Sequence, residues 1–542
     1  MHLRDSRYLP ARSSRSVLLY LFLIGLLCMP GAGCRRSDDG RLRNYFYLRL
    51  NSNPTTLDPA LITDVQGGGI AAKLFNGLVR FNENLDIVPD IALSWRLSED
   101  QRVYTFRLRR DVQFSSGSTV TARDVKYSFE RVLKPGTRAP LTWVLDRIEG
   151  AQDVLAGNTT SVSGIQVIND HLIAIKLTKP FGPFLSLLAM TTAYIVPRAD
   201  VERLGQDFGT HPVGTGPYVL AEWKHGQYLR LTAREDYFDG RPKLNGIYYR
   251  IIPEDLTAVI EFDTGRLDVL LIPSSEYRRY TTDPAWRDLV YGRTGLNTYY
   301  LGFNCTRPPF DDVRVRQAVN LAIDRKQILN TIMEKRGVLA TGPIPPELWK
   351  NKAWSRVLQG QGYAYDPQKA RDLIRQAGAE GKTIKIYIAA EPEILDIIEV
   401  IQSYLAKVGL KAEIVQLDWS ALKEAVNEGK PDAYWLSWWA DYPDPENFLY
   451  PLFHSASIGS GGNRSRCIDQ ELDRLIEAAQ GTMDERERFR LYRQAEERIV
   501  EDAPWVFMWH KADYFVVQPW VKDFKLYPIY SIDKRVDITV NR

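Results

Sequence analysis

Cysteine and histidine are scarce. The 542 residues hold four Cys and six His. No two His stand at metal-ligand spacing and no His-Glu-x-x-His helix occurs, so neither a metal site nor a cofactor is expected. A Gly-x-Ser-x-Gly elbow is also missing, which leaves a serine hydrolase without its nucleophile turn. Surplus charge of one sign is absent: a net charge of +3 gives nucleic-acid binding no electrostatic footing. Beyond the N-terminal stretch no run reaches eighteen apolar residues, so the body of the chain carries no membrane-span signal. Gly378-Ala379-Glu380-Gly381-Lys382-Thr383 has the look of a phosphate loop. It fails because Gln376 stands where the first Gly belongs, and because a helix precedes it and a strand follows.

What is present is an export-type start and an ordinary globular body. Arg4, Arg7, Arg12 and Arg15 precede thirteen apolar residues, Val17 to Met29, and then Pro30-Gly31-Ala32-Gly33-Cys34. This reads as a signal segment with small residues before a cysteine to be lipidated, Cys34. Leu27 before Cys28 is too large for the same role. Arg35 to Arg41 reads as a tether. Cys305 and Cys467 then remain, either as one bridge or as single core thiols. About 500 residues exceed what one core usually holds, so at least two lobes are expected. Thirteen Trp and twenty-eight Tyr supply rigid amphipathic surface, suited to a pocket and equally to a core.

Strands and helices alternate. Tyr45–Leu50 reads as an edge strand, Ile70–Leu78 as a helix after three glycines, and Tyr104–Leu108 and Leu172–Leu177 as strands. Thr121 caps a helix running through Val132, and Arg314–Ile328 has helical spacing throughout. Pro367–Ala377 and Ile394–Val408 read as helices with strands Ile384–Ile388 and Ala412–Val415, and Leu472–Ala479 and Glu485–Val500 as amphipathic helices. Tyr299–Asn304 and Trp505–Trp509 are strand-like and are the candidates for segments that cross between lobes. The chemistry is expected at the end of the apolar run Ala433–Ala440, where Asp441 opens the turn Tyr442-Pro443-Asp444-Pro445. A carboxylate at the end of a core strand loses water and calls for a cation, either a protein Arg or Lys or a ligand ammonium. Prolines between Asp441, Asp444 and Glu446 do not suit a calcium loop. Val213-Gly214-Thr215-Gly216-Pro217-Tyr218 reads as a tight turn or a close backbone approach.

Four separated blocks, in order, resemble the family-5 extracellular solute-binding proteins, the oligopeptide- and dipeptide-binding lipoproteins of ABC importers. They are Leu57-Asp58-Pro59 with Leu93-Ser94-Trp95, Phe106 to Val112 and Thr121 to Val125; Val213 to Tyr218; Phe303-Asn304 with Pro309 to Val319 and Ala322 to Arg325; and Trp438 to Pro445 with Gly462-Asn463 and Leu472-Asp473. The resemblance implies an α/β, periplasmic-binding-protein-like two-lobed clamp of type II with an extra domain in the first lobe. It divides the chain into a signal (1–33), a tether (34–44), lobe I (45–83, 212–302 and 507–542), an extra domain (84–211) and lobe II (303–506). It implies that Asp441 pairs with a ligand α-ammonium. Thr63, Asp64, Val65 and Gln66 would pair with ligand main chain in a strand-like way, the main chain at Trp439 would supply the other side, and Trp419 would be a pocket tryptophan. The partners implied are a peptide or small solute, ABC permease subunits and a membrane reached through lipid on Cys34, with the protein a monomer. Where some relatives carry a basic residue for the ligand carboxylate, Trp435 stands here between Tyr434 and Leu436. That leaves room for longer, blocked or non-peptide ligands, and the alternative is the same fold holding a nickel chelate, a sugar or another small conjugate.

Overall fold

The computed structural model describes residues 42–349 and 362–542. The expectations for the signal, Cys34 and most of the tether fall outside them.

Three sheets organise the chain. In the first, Tyr45–Leu50 is an edge strand parallel to Gly246–Ile251, followed by antiparallel Tyr228–Ala233 and Tyr218–Lys224. The second is wholly antiparallel, in the order Ala92–Leu97, Val103–Leu108, Leu172–Lys176, Ile165–Asn169. With helix Ala122–Leu133 it packs around an apolar core to which Phe81, Ile529, Ile532 and Tyr442 from outside residues 84–211 also contribute, and it forms the extra domain of the first lobe. The third sheet belongs to the second lobe. Thr383–Ala389 runs parallel to both Lys411–Leu417 and Ala433–Trp439, and Asn297–Phe303 lies antiparallel between Ala433–Trp439 and Trp505–Val517. Apolar cores cover both of its faces. This is why its central strand reads as an unbroken apolar run: Ala433 and Trp435 enter one core while Tyr434 and Leu436 enter the other.

The two strand-like stretches expected to cross between lobes both lie in the third sheet. Tyr299–Phe303 and residues 505–509 pair with each other and with the strands of the second lobe. The thirteen-residue strand Trp505–Val517 changes sheets part-way, because its last residues pair with Val290–Thr294 and Val269–Leu271. The chain therefore passes between lobes at Gly295–Leu296 and at Lys511–Ala512. Buried Asn297 ties these points together, accepting from Lys511 N at 2.7 Å and donating to Lys511 O at 3.0 Å. A continuous apolar run does not disclose which sheet each half joins.

Two helices also differ from expectation. Arg314–Ile328 is two helices, Val313–Ala322 and Arg325–Thr331, because Asp324 turns its carboxylate to Gln327 N and starts a new N-terminus. The helix expected from Ile70 runs instead over Val65–Leu74. Its last carbonyls meet the Val213–Tyr218 segment: Gly216 N donates to Leu74 O at 2.8 Å, and a methyl on Gly214 or Gly216 would strike backbone at Lys73 and Leu74. The glycines thus serve a close backbone approach. Cys305 and Cys467 form a disulfide, Cα to Cα 5.4 Å. The lobes touch, with Gly182 N donating to Gln480 O at 2.8 Å and Tyr442 packed 6.0 Å from Trp143 of the inserted domain.

Candidate functional site

The parallel strands of the second lobe end on one edge, the place where open α/β sheets bind ligands. Asp441 follows the strand ending at Trp439, and Trp419 opens the helix after the strand ending at Leu417. Thr383–Ala389 lies between those strands, so the two residues follow the ends of strands that flank a common neighbour. The Trp419 ring is exposed, and the Lys423 ammonium lies 5.5 Å from its centroid.

Asp441 is held by a residue that sequence reasoning missed. Asn447, buried in the first turn of helix Glu446–Phe453, accepts from Asp441 N at 2.9 Å and donates to Asp441 Oδ2 at 3.2 Å. The same Asn447 oxygen takes the Trp438 indole N–H at 3.3 Å. Among the described residues no Lys, Arg or His forms an ion pair with Asp441. The carboxylate is exposed to cleft space, yet the protein around it withdraws enough solvent to push its carboxyl above the usual range, with the Asn447 hydrogen bond opposing. Glu446 and Tyr530 are both near enough to feel the negative charge of Asp441.

The other acids of this turn are committed internally. Glu446 accepts from the Tyr442 hydroxyl and from Gln480 Nε2 at 2.6 Å, and Asp444 accepts from Glu446 N at 2.9 Å. They do not converge on a metal with Asp441. The one close metal-type cluster among the described residues, Cys305, Cys467 and Asp502, has its sulfurs in the disulfide.

The main chain at Trp439 is open on one side. Ala440 N donates to Leu296 O at 2.8 Å, so by alternation the Trp439 N–H and C=O point away from strand Asn297–Phe303. On that far side, pairing with Thr383–Ala389 stops at Tyr434.

Across the cleft, residues 63–66 do not form a strand. Thr63 is exposed and has no backbone hydrogen bond to the described residues. Asp64 is an N-cap, its carboxylate accepting from Gly67 N at 2.6 Å, and Val65 and Gln66 are the first helical residues. Gln66 donates to Asn51. Val65 and Gln66 are thus helical rather than extended: the Asp64 cap begins a helix through glycines that by themselves favour a loop. The glycines stay because Tyr530 lies on them, and a Cβ on Gly68 would stand 2.5 Å from Tyr530 Cε2. Tyr530 feels both Asp64 and Asp441, which locates it between the two walls. The wall is anchored by Asp58, which Arg131 of the inserted domain grips with two hydrogen bonds.

A family model described as bacterial extracellular solute-binding proteins, family 5, middle region, matches residues 86–460. "Heme-binding protein A" of Haemophilus influenzae is 32% identical over 505 residues, covering 89% of this chain and 90% of its own. The "Dipeptide-binding protein" of Escherichia coli is 28% identical over 501 residues, covering 88% and 91%. Among solved structures, HbpA2 from Haemophilus parasuis superposes with a TM-score of 0.78 at 27% identity, over 92% of this chain and 100% of that one.

Proposed function

The chain belongs to the bacterial extracellular solute-binding proteins of family 5, and from that premise we propose that it captures peptides by their free amino end and delivers them to an ABC transporter. Proteins of this family bind solutes and are not enzymes. The observation that carries the peptide reading is Asp441: a partly desolvated carboxylate, oriented by Asn447, in a cleft that offers it no cation. A ligand α-ammonium completes it with a charge-assisted bond worth about 1.5–3 kcal/mol. Main-chain groups at Trp439 on one wall and at Thr63 and Asp64 on the other read no side chain, which suits a binder of varied sequences. Trp419 widens the pocket on the Asp441 wall.

Closure proceeds by rotation about Gly295–Leu296 and Lys511–Ala512, with the inserted domain meeting the second lobe on the far side. Residues 1–33 direct export, Cys34 takes lipid, residues 34–44 tether a monomer to the membrane, and among the described residues no helix is long and apolar enough to cross it.

The second reading is a non-peptide ligand, favoured by the relative named for heme. Against direct iron or nickel ligation, none of the five described histidines belongs to the Asp441 wall: His171, His211 and His225 sit on the first lobe, His454 contacts Asp473, and His510 bonds Asn297 O. Calorimetry with a tripeptide and its N-acetylated form separates the readings. Acetylation is expected to weaken binding ten-fold or more, and equal affinity overturns the role of Asp441.

A further inference from the structure

A second carboxylate in this cleft has no ion-pair partner among the described residues. Asp513 lies on the crossing strand, two residues past the Lys511–Asn297 staple, and lines a cavity of about 170 Å³ together with Arg293, Trp439, Phe515, Tyr527 and Tyr530. At roughly 30 Å³ per water, that space holds about five waters or the end of one side chain. Trp439 lies two residues before Asp441, and Tyr530 borders both places, so the cavity adjoins the amine site.

The Asp513 carboxylate makes no hydrogen bond and no ion pair with the described residues. Its cross-strand neighbour is Arg293, the natural internal partner. That guanidinium turns instead to the C-terminal segment, donating to Leu526 O at 2.6 Å. The other charges of the cavity are already paired, Arg535 with Asp533 at 2.8 Å and Lys525 with Glu83 at 2.6 Å. Lys511, on the same strand, acts on Asp513 through space without forming an ion pair, and burial still raises the Asp513 carboxyl. Trp439, Phe515, Tyr527 and Tyr530 line the same cavity as this carboxylate, and although Arg293, Lys525 and Arg535 also border it, each is turned to another partner, which suits an aliphatic stem that carries a cation to Asp513.

The geometry points to Asp513 as a second cation receptor, which selects peptides bearing a lysine or arginine side chain beside the amino terminus held at Asp441. This inference rests on the peptide reading above. Its test is calorimetry of the purified protein with Lys-Ala-Ala, Ala-Lys-Ala and Ala-Ala-Lys, each against the same tripeptide with norleucine for lysine. At the first or second position lysine is expected to bind at least ten-fold more tightly than norleucine, and a preference confined to the third position overturns the inference. In Asp513→Asn, near-isosteric and checked for folding by circular dichroism, that ratio is expected to collapse toward one. Peptides that bind with lysine and norleucine equal at all three positions overturn the inference and leave the peptide reading standing. A preference that survives in Asp513→Asn also overturns it. Failure of every tripeptide to bind removes the peptide reading and this inference together.

Discussion

Two proline-containing turns face each other across the cleft and treat their acids oppositely. In Leu57–Asp64 every carboxylate is satisfied inside the protein: Asp58 by Arg131, Asp64 by Gly67 N and the Thr55 hydroxyl. In the turn after Trp439, Asp444 and Glu446 are satisfied, and among the described residues the Asp441 carboxylate keeps only Asn447. The first arrangement holds a wall in place. On the function proposed above, the second leaves one charge for a ligand. An acid that serves the fold and an acid that serves a ligand differ less in residue type than in whether the fold supplies the counter-ion.

The contrast breaks hardest at Asp58. Asp58→Ala strands the largely buried Arg131 guanidinium, and unfolding in urea is expected to show a loss of about 3–5 kcal/mol. A loss below 1 kcal/mol would mean that water already satisfies Arg131. At Asp441 the signs invert. Asp441→Asn should cost peptide affinity ten-fold or more, about 1.4 kcal/mol, by calorimetry. Yet the ligand-free variant should melt no lower than the parent. The folded-state carboxyl is raised, so its charged form opposes folding at neutral pH and that penalty fades as pH falls through the raised value. A variant that both binds normally and melts lower would make Asp441 structural.

The same shift gives a pH dependence to peptide binding. An ammonium partner favours the ionised carboxylate, so affinity is full above the raised value and declines as pH drops through it, approaching ten-fold per pH unit below. The decline should begin at higher pH than for an ordinary aspartate and vanish in Asp441→Asn. A profile identical in the two proteins would assign the titration elsewhere.

Legibility in the sequence follows the same division. The strand Ala433–Trp439 and the acid beyond it could be read because burial on both faces writes a continuous apolar run, and a carboxylate before two prolines ends it. Trp419 was readable only by resemblance. Asn447 was not, since nothing local marks a helical amide six residues on as the group that orients the acid; a polar side chain in the first turn of an otherwise apolar helix is the signal to look for. Tyr530 and Asp513 were invisible because they reach the cleft from the C-terminal end of the chain by tertiary folding. The pairing of Cys305 with Cys467 spans 162 residues and had no local mark. The helix start at Val65 was hidden because glycine propensity favours a loop, and the cap at Asp64 together with the ring of Tyr530 overrides it.

Smaller effects sharpen the comparison. Asn447→Ala removes the bond that aims Asp441 and an indole partner. It should lower peptide affinity about three- to ten-fold and stability by about 1–2 kcal/mol, and leaving Asp441→Asn no worse when the two are combined would show that Asn447 acts through Asp441.

The smallest effect is expected at Val65, where fold and ligand make different demands on one N–H. Val65 is the first helical residue and is 68% exposed, and Asp64 before it is extended at φ −107° and ψ 148°. Proline is tolerated at the first position of a helix because the N–H there has no intrahelical acceptor, and an extended preceding residue is what proline requires. Val65→Pro should therefore change unfolding free energy by less than about 0.5 kcal/mol. Peptide affinity should change by less than three-fold, because pairing on this wall runs through Thr63 and Asp64. A ten-fold loss with stability intact would return Val65 to the ligand's main chain, and the two facing turns would then differ in their side chains alone.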